Sequence, residues 1–316
     1  MGENLLQREK LKCLLDKALN QNGHLRKGGE ESTYFCFACH HHKRKMEVNL
    51  DSQKWECWVC HAKGRSIRSL FYKLKVRESY FEELYKIVGK YWVKSENKEK
   101  RPVNLFLPDE FIPLWKSSNH SECGIAMSYL QKRGITMDDI LRYNIGYCEG
   151  GDYRQRVLIP SYDGNGDINF FAARAYYEGN TYKYMLSPWP KDIIGFELFI
   201  NWDYDYITIT EGPIDAIMIR NNAIPLFGTI MSDKLKEKIV LSGIGRVNLM
   251  LDGDKAGING AIKIYDFLQS FDIDIHLILL NKKDAADTGF EEITKAIDVS
   301  TTTTFNDIIK IKLNYV

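Results

Sequence analysis

Four of the chain's seven cysteines form two Cys-x-x-Cys pairs, Cys36/Cys39 and Cys57/Cys60, with seventeen residues between the pairs. Two residues between thiols make a tight knuckle that aims both sulfurs at one point. Two knuckles complete a closed tetrahedral site, so the spacing predicts one structural zinc ion. His40, His41, His42 and His61 flank the knuckles and could replace a cysteine as ligand. With four thiolates saturating the metal, they read instead as surface cations or base-stacking groups. A second set of chemically potent residues is acidic. Glu211 and Asp215 follow YITIT, Asp252 and Asp254 follow VNLML, and Asp284 and Asp287 follow IHLILL. Carboxylates that converge repel one another and need cations. Hard oxygen ligands favour Mg²⁺ or Mn²⁺ bridging to substrate phosphates, the arrangement of two-metal phosphoryl transfer.

These residues need elements to place them. MEVNLDSQKWECW, between the knuckles, reads as strand, turn and strand, with Asp51-Ser52 at the turn. LFYKLKVRESYFEELYKIVGKYW follows with helical spacing that slips around Arg77. MSYLQKRGITMDDILRYNIGYC predicts two short helices broken at Gly134, with Thr136 as an N-cap. RVLIPSY and INFFAARA predict two strands around Asp163-Gly164-Asn165-Gly166-Asp167. From residue 201, strands at 206–210, 247–251 and 275–280 alternate with the helical stretches IDAIMIRNN, SDKLKEKIVLSG and GINGAIKIYDFLQSF. That alternation predicts a parallel sheet with helices on both faces, and ligands gather beyond the carboxyl ends of such strands. An EF-hand starting at Asp252 fails, because its twelfth position is Lys263. The run TTTT at 301–304 is too short to interpret.

The chain has 316 residues, 44% hydrophobic and 27% charged, which suits about two globular domains and excludes a disordered or fibrous protein. An odd cysteine count without a secretory leader argues against a disulfide framework. No stretch approaches the ~18 consecutive apolar residues of a membrane span. A soluble cytoplasmic protein with no membrane partner is the expectation (host cytoplasm if phage-encoded). The net charge of +1 hides an asymmetry: residues 1–101 carry 22 Lys+Arg against 13 Asp+Glu, residues 102–316 carry 21 against 29. A basic front suggests a nucleic-acid contact, an acidic back suggests cation-binding carboxylates. Lys43, Arg44, Lys45, Trp55 and Trp58 supply the charge and aromatic faces that grip single strands, although each aromatic suits a small metal-stapled core as well.

EGPIDA at 211–216 and LDGDKAG at 251–257 resemble the signature of the Toprim domain. With the zinc ribbon, the basic linker KSENKEKRP, the RVLIPSY/INFFAARA hairpin and KYMLSPWPKDIIGFELF at 183–199, the order resembles a DnaG-type DNA primase, most closely the primases of T-even-like tailed phages. The resemblance implies an α/β chain: a small N-terminal zinc ribbon, then a primase catalytic core made of a mixed α+β subdomain and a Toprim parallel sheet. The corresponding boundaries are 1–93 for the zinc-ribbon DNA-binding domain, 94–102 for the linker, 103–200 for the N-terminal subdomain of the RNA polymerase core and 201–316 for the Toprim subdomain.

The same resemblance implies RNA primers made de novo on single-stranded DNA from NTPs, with a replicative, DnaB-like helicase as partner. Carried over by motif, Glu211, Asp252 and Asp254 are the central metal-binding acids with Asp215 close by, and Asp284 and Asp287 are further metal ligands. Arg154, Arg156, Arg174, Lys183 and Lys255 meet triphosphates or template phosphates. Two departures stand out: Cys39 where many bacterial relatives have histidine, and Asp-Ala-Ala-Asp at 284–287 instead of Asp-Pro-Asp. The chain has no GxxxxGK[ST] loop, hence no fused helicase motor, and leaves little room for a separate helicase-docking domain. The competing expectations are a Toprim nuclease or topoisomerase-like fragment, for which no large gate domain fits, and a non-catalytic adaptor, against which the retained acids count.

Overall fold

The computed structural model describes residues 2–89, 105–116, 121–177, 182–279 and 288–315. Backbone contacts divide the chain into two compact units. The first takes the described residues up to 89 together with Glu237–Gly245 and Leu268–Ile273; the second takes the rest. The linker stretch 94–102 and the acids Asp284 and Asp287 lie outside the described residues.

The first unit begins with α1 (Gly2–Leu19), which buries Leu11, Leu14 and Leu15. Strands β1 (His24–Arg26), β2 (Glu31–Tyr34), β3 (Met46–Asn49), β4 (Trp55–Cys57) and β5 (Lys63–Gly64) form an antiparallel meander in chain order. The β3–β4 register pairs Met46 with Cys57 and Val48 with Trp55, and the alternation along both strands turns Met46, Val48, Trp55 and Cys57 inward. Tyr34 is fully buried, and its hydroxyl donates to Asp16 Oδ1 at 3.0 Å, satisfying the one polar atom that burial would orphan. Helix α2 (Ile67–Leu74) starts at Ser66, whose side chain accepts from the Ser69 N–H, and stops at Lys75, in the left-handed region at φ 51°. Helix α3 (Glu78–Ile87) follows with Arg77 at its N-cap, so the slip in helical spacing is a true break between two helices. Phe71 packs edge-on against Phe81 at 5.9 Å.

Arg68 is 3% exposed in this unit. Its Nε donates to the Tyr85 hydroxyl at 3.1 Å and its Nη2 to the Ile244 carbonyl at 2.9 Å. Tyr85 in turn meets Phe271 edge-on at 5.5 Å, and Ser66 donates to Asp272. The two remote segments are thus fastened by a buried polar network as well as by apolar contact.

The second unit holds two sheets. β6 (Phe111–Pro113), β7 (Gly146–Cys148), β8 (Arg156–Tyr162), β9 (Ile168–Ala175) and β10 (Tyr184–Leu186) are antiparallel in the order β10-β9-β8-β7-β6. The expected β8–β9 hairpin closes on Asp163, whose Oδ1 accepts the N–H groups of Asn165 and Asp167. Helices α4 (Ser121–Lys132) and α5 (Met137–Arg142) are separated by Gly134 at φ +79°, a conformation that suits glycine. Thr136 and Asp139 form a full capping box at the start of α5.

The second sheet is parallel: β11 (Tyr206–Thr210), β12 (Ala223–Pro225), β13 (Arg246–Met250) and β14 (Asp274–Leu277) in the order β12-β11-β13-β14. Helices α6 (Pro213–Ile219), α7 (Asp233–Ser242), α8 (Lys255–Leu268), α9 (Phe290–Val299) and α10 (Phe305–Tyr315) accompany it, with α7 divided between the units. One core runs through both sheets of the unit, joining Tyr147, Ile159 and Phe170 to Ile217, Phe227 and Met250. A buried polar row, Thr208, Asn248 and His276, crosses β11, β13 and β14 in register; Asn248 donates to Thr208 Oγ1 at 3.1 Å. A one-residue slip would break that row. The run 301–304 also has a role: Thr303 N–H donates to the Ile275 carbonyl and its hydroxyl accepts from Leu277 N–H, covering the outer edge of β14.

Candidate metal centres and nucleotide cleft

The four cysteines of the two pairs meet in the first unit, all their sulfurs within 4.8 Å of one another. Cys36 and Cys60 sulfurs are 3.7 Å apart, and Cys39 and Cys57 sulfurs 3.8 Å. A tetrahedron with Zn–S arms of about 2.3 Å has edges of about 3.8 Å, so the donor set fits a structural zinc ion. Burial pushes the Cys36 thiol up to about 12. Burial also works against ionisation at Cys57, but the backbone N–H groups of Cys60 and Val59 aim at its sulfur and bring it down to about 7. The knuckle backbone is therefore already arranged to hold a thiolate. Around the cluster the two tryptophans part company. Trp55 is 2% exposed and donates its Nε1–H to Ser69 Oγ at 3.0 Å, whereas Trp58 is 58% exposed. Arg44 lies over the exposed Phe35 ring at 4.7 Å.

In the second unit the acids come together because of strand order. β11 is followed by α6 and β12 on one side, while β13 pairs with β11 on the other, so the order in which strands are added to the sheet switches sides at β11. Ligand crevices open at such a switch, outside the carboxyl ends of the strands. Thr210 is the register partner of Met250, so Glu211 and Asp252 leave neighbouring strand ends side by side. The Asp252 N–H donates to the Glu211 carboxylate. Burial first, then the charges of Asp252 and Asp254, push the Glu211 carboxyl up to about 7. Its Oε2 is buried without a hydrogen-bond partner among the described residues.

Asp254 Oδ1 accepts from Gly257 N–H at 2.9 Å at the start of α8. Gly257 is obligatory there, since a Cβ would lie 2.2 Å from the Asp252 carbonyl oxygen. Asp215 sits in the first turn of α6, where the helix dipole favours a carboxylate. An orphaned buried carboxylate oxygen among three acids is the donor chemistry that a hard divalent cation fits.

A cleft of about 450 Å³ is lined by the acids Glu211, Asp215, Asp252 and Asp254 together with the cations Arg133, Arg174 and Lys183. Arg174 is held in place: its Nε donates to the Tyr129 hydroxyl at 3.0 Å, and its guanidinium lies 4.5 Å from the Tyr184 ring centroid. The other expected cations do not line this cleft. Arg156 is 4% exposed, with Nη1 reaching the Lys183 carbonyl at 3.3 Å; Arg154 and Lys255 are exposed. Arg133 was invisible as a site residue because Lys-Arg-Gly at a helix end is the ordinary cationic C-terminal pattern.

A family model described as Toprim-like matches residues 208–288. Among curated relatives, the DNA primase of Helicobacter pylori strain J99 is 25% identical over 289 residues, covering 76% of this chain and 50% of its own length. The chain spans about half the length of the curated relatives it matches first. Among solved structures, the zinc-binding and RNA polymerase domains of the Aquifex aeolicus primase cover 98% of this chain and 89% of theirs, with a TM-score of 0.50 at 18% identity. The DnaG primase catalytic domain bound to ssDNA covers 63% of this chain and 78% of its own, with a TM-score of 0.53 at 19% identity. The expected closeness to phage primases is not shown by these proteins. No helix among the described residues is long and apolar enough to cross a membrane. In sequence the chain is similar to DnaG-type DNA primases and it shares their fold, with a Toprim-like region that carries its acid cluster.

Proposed function

We propose that the chain is a DNA primase, a DNA-directed RNA polymerase that starts short RNA primers de novo on single-stranded DNA. The observation that carries the reading is the cleft itself, which Glu211, Asp252 and Asp254 line together with Arg174 and Lys183. Acids and cations lining one cleft suit a metal-bound triphosphate. Glu211, Asp252 and Asp254 would hold Mg²⁺ or Mn²⁺, with Asp215 beside them and Asp284 and Asp287 as further ligands. Bound there, the ions would activate a 3′-hydroxyl and neutralise departing pyrophosphate.

The chain's own residues do the positioning. Arg174, locked between Tyr129 and Tyr184, presents a fixed guanidinium to phosphate oxygens. Lys183 adds a second cation, and buried Arg156 works through the Lys183 carbonyl as a positioning residue. Exposed Arg154 and Lys255 would meet phosphates further along the strand. The cysteine-bearing module would hold zinc and present template, with exposed Trp58 and Phe35 as stacking faces.

The organisation that goes with this reading is 1–93, 94–102, 103–200 and 201–316. A replicative helicase partner and a cytoplasmic setting belong to the same proposal. The test is incorporation of labelled NTPs on a single-stranded template. Wild type makes short RNA only with a divalent ion, and Asp252→Asn makes at most about a hundredth as much while still binding DNA. Cleavage of the template without incorporation would favour a nuclease; an active Asp252→Asn protein would refute the acid assignment.

A further inference from the structure

A polymerase that begins a chain without a primer must hold two nucleotides at once. The incoming one places its triphosphate at the metal-binding acids. The initiating one supplies the 3′-hydroxyl and keeps its own 5′-triphosphate, which carries several negative charges that need separate cations. The acid-lined cleft has three cations among its lining residues, so the second set of charges needs further cations within one nucleotide's length.

A place for them adjoins it. A second, larger cleft of about 800 Å³ shares Arg133, Arg174 and Lys183 with the acid-lined cleft. Its volume lies within the range of small-molecule sites, ~300–1,000 Å³. Lys132 adds a further cation, and no carboxylate lines it among the described residues. Tyr129, Tyr176 and Tyr177 give it an aromatic wall. That wall is built, because Tyr176 and Tyr177 both donate to one carboxylate, Glu122, at 2.5 and 3.2 Å, with ring centroids 5.1 Å apart. Glu122 is thus a positioning residue that fixes the tilt of the rings. Cations without acids, beside rings held at set angles, match a nucleoside triphosphate bound without its own tightly held metal.

We infer that this second cleft is the initiating-nucleotide site: a ribonucleoside triphosphate stacks its base on the exposed Tyr177 ring, which buried Tyr176 backs, and lays its 5′-phosphates on Lys132 and Arg133. The inference rests on the polymerase reading above. In the first step the 3′-oxygen of this nucleotide bonds to the α-phosphorus of the incoming NTP. The bond from that phosphorus to pyrophosphate breaks, and the hydroxyl proton passes to solvent. Once a dinucleotide exists, base pairing to template holds it and the site is no longer needed.

The experiment compares two reactions of the full chain on one template: dinucleotide formation from two NTPs, and one-nucleotide extension of a preformed RNA annealed to that template. Lys132 and Tyr177 are exposed and line only the second cleft, so Lys132→Glu and Tyr177→Ala keep the fold. Each variant raises KM for the initiating nucleotide about tenfold, the value of one charged or stacking contact, and leaves extension within about twofold. In wild type a 5′-triphosphate start outcompetes a 5′-monophosphate start, and Lys132→Glu removes that preference. Parallel loss of both reactions would mean that the cleft holds template, and unchanged initiation would mean that it holds nothing in this step; either overturns the inference. Wild type that extends RNA but cannot initiate overturns the site alone, and wild type that does neither refutes the polymerase reading with it.

Discussion

The chain has two metal-capable centres, and they solve opposite problems. The cysteine cluster is closed: four sulfurs already sit at tetrahedral spacing, and knuckle N–H groups support a thiolate at Cys57. The acid cluster is open: Glu211, Asp252 and Asp254 line a cleft, and Glu211 is pushed up to about 7 by burial and by the other two charges. A closed sulfur site spends its ion on folding. An open carboxylate site keeps its charges in tension until a cation and a phosphate arrive, so part of the stability the fold could have had is held back for ligand binding.

That contrast can be broken most forcefully at the cysteines. If the cysteines hold zinc, stripping it forfeits on the order of 10 kcal/mol of apparent binding free energy, Cys57→Ser forfeits a part of it, and near-UV circular dichroism from Trp55 collapses on chelation. Chelation leaves the parallel sheet folded, which hydrogen exchange at β11 and β13 would report. A β3–β4 meander equally protected with and without metal would erase the distinction.

A smaller effect of opposite sign belongs to the acids. Metal-free Glu211→Gln should melt a few degrees higher than wild type at pH 8, about 2–5 °C, because a strained charge is gone, yet should lose its stabilisation by Mg²⁺. The sign follows from the raised carboxyl. Its contribution to stability is complete below the ordinary value near 4.5 and is lost as pH rises through about 7. The metal-free wild type therefore loses Tm relative to the variant across that window; parallel pH profiles would remove the tension argument.

The finest contrast lies within four residues, Trp55-Glu56-Cys57-Trp58. Trp58→Ala should weaken single-stranded DNA binding by ~1–3 kcal/mol, one lost stack, with an unchanged melt. Trp55→Ala destabilises the first unit instead, as loss of a fully buried aromatic does. Equal DNA affinity for Trp58→Ala and wild type would strip the exposed ring of its role.

The same residues mark what could be seen without coordinates. The cysteine pairs were legible because each knuckle is local. The acids were legible because strands ending in carboxylates implied one crevice, and the register of Thr210 with Met250 realises it. The Asp163 hairpin and the Thr136 cap were legible for the same local reason. Trp55 against Trp58 was open, since both suit a small core or a nucleic-acid face, and only strand alternation assigns them. Arg156 looked like its neighbour Arg154 until β8 and β9 paired and buried it. Helix α1 was missed because its leucines sit among polar residues with no strong single stripe.

The least legible feature is that the first unit is completed by Glu237–Gly245 and Leu268–Ile273. The bond from Arg68 to the Ile244 carbonyl spans 176 residues, and that from Ser66 to Asp272 spans 206. On a ribosome, Arg68 emerges long before its acceptor exists, so the nascent N-terminal module waits half-finished with a hydrated guanidinium where the finished protein has a buried one. A metal ion held by the four cysteines would be the local brace during that wait, and the last stitches of the N-terminal module close only once residues up to Ile273 have been made.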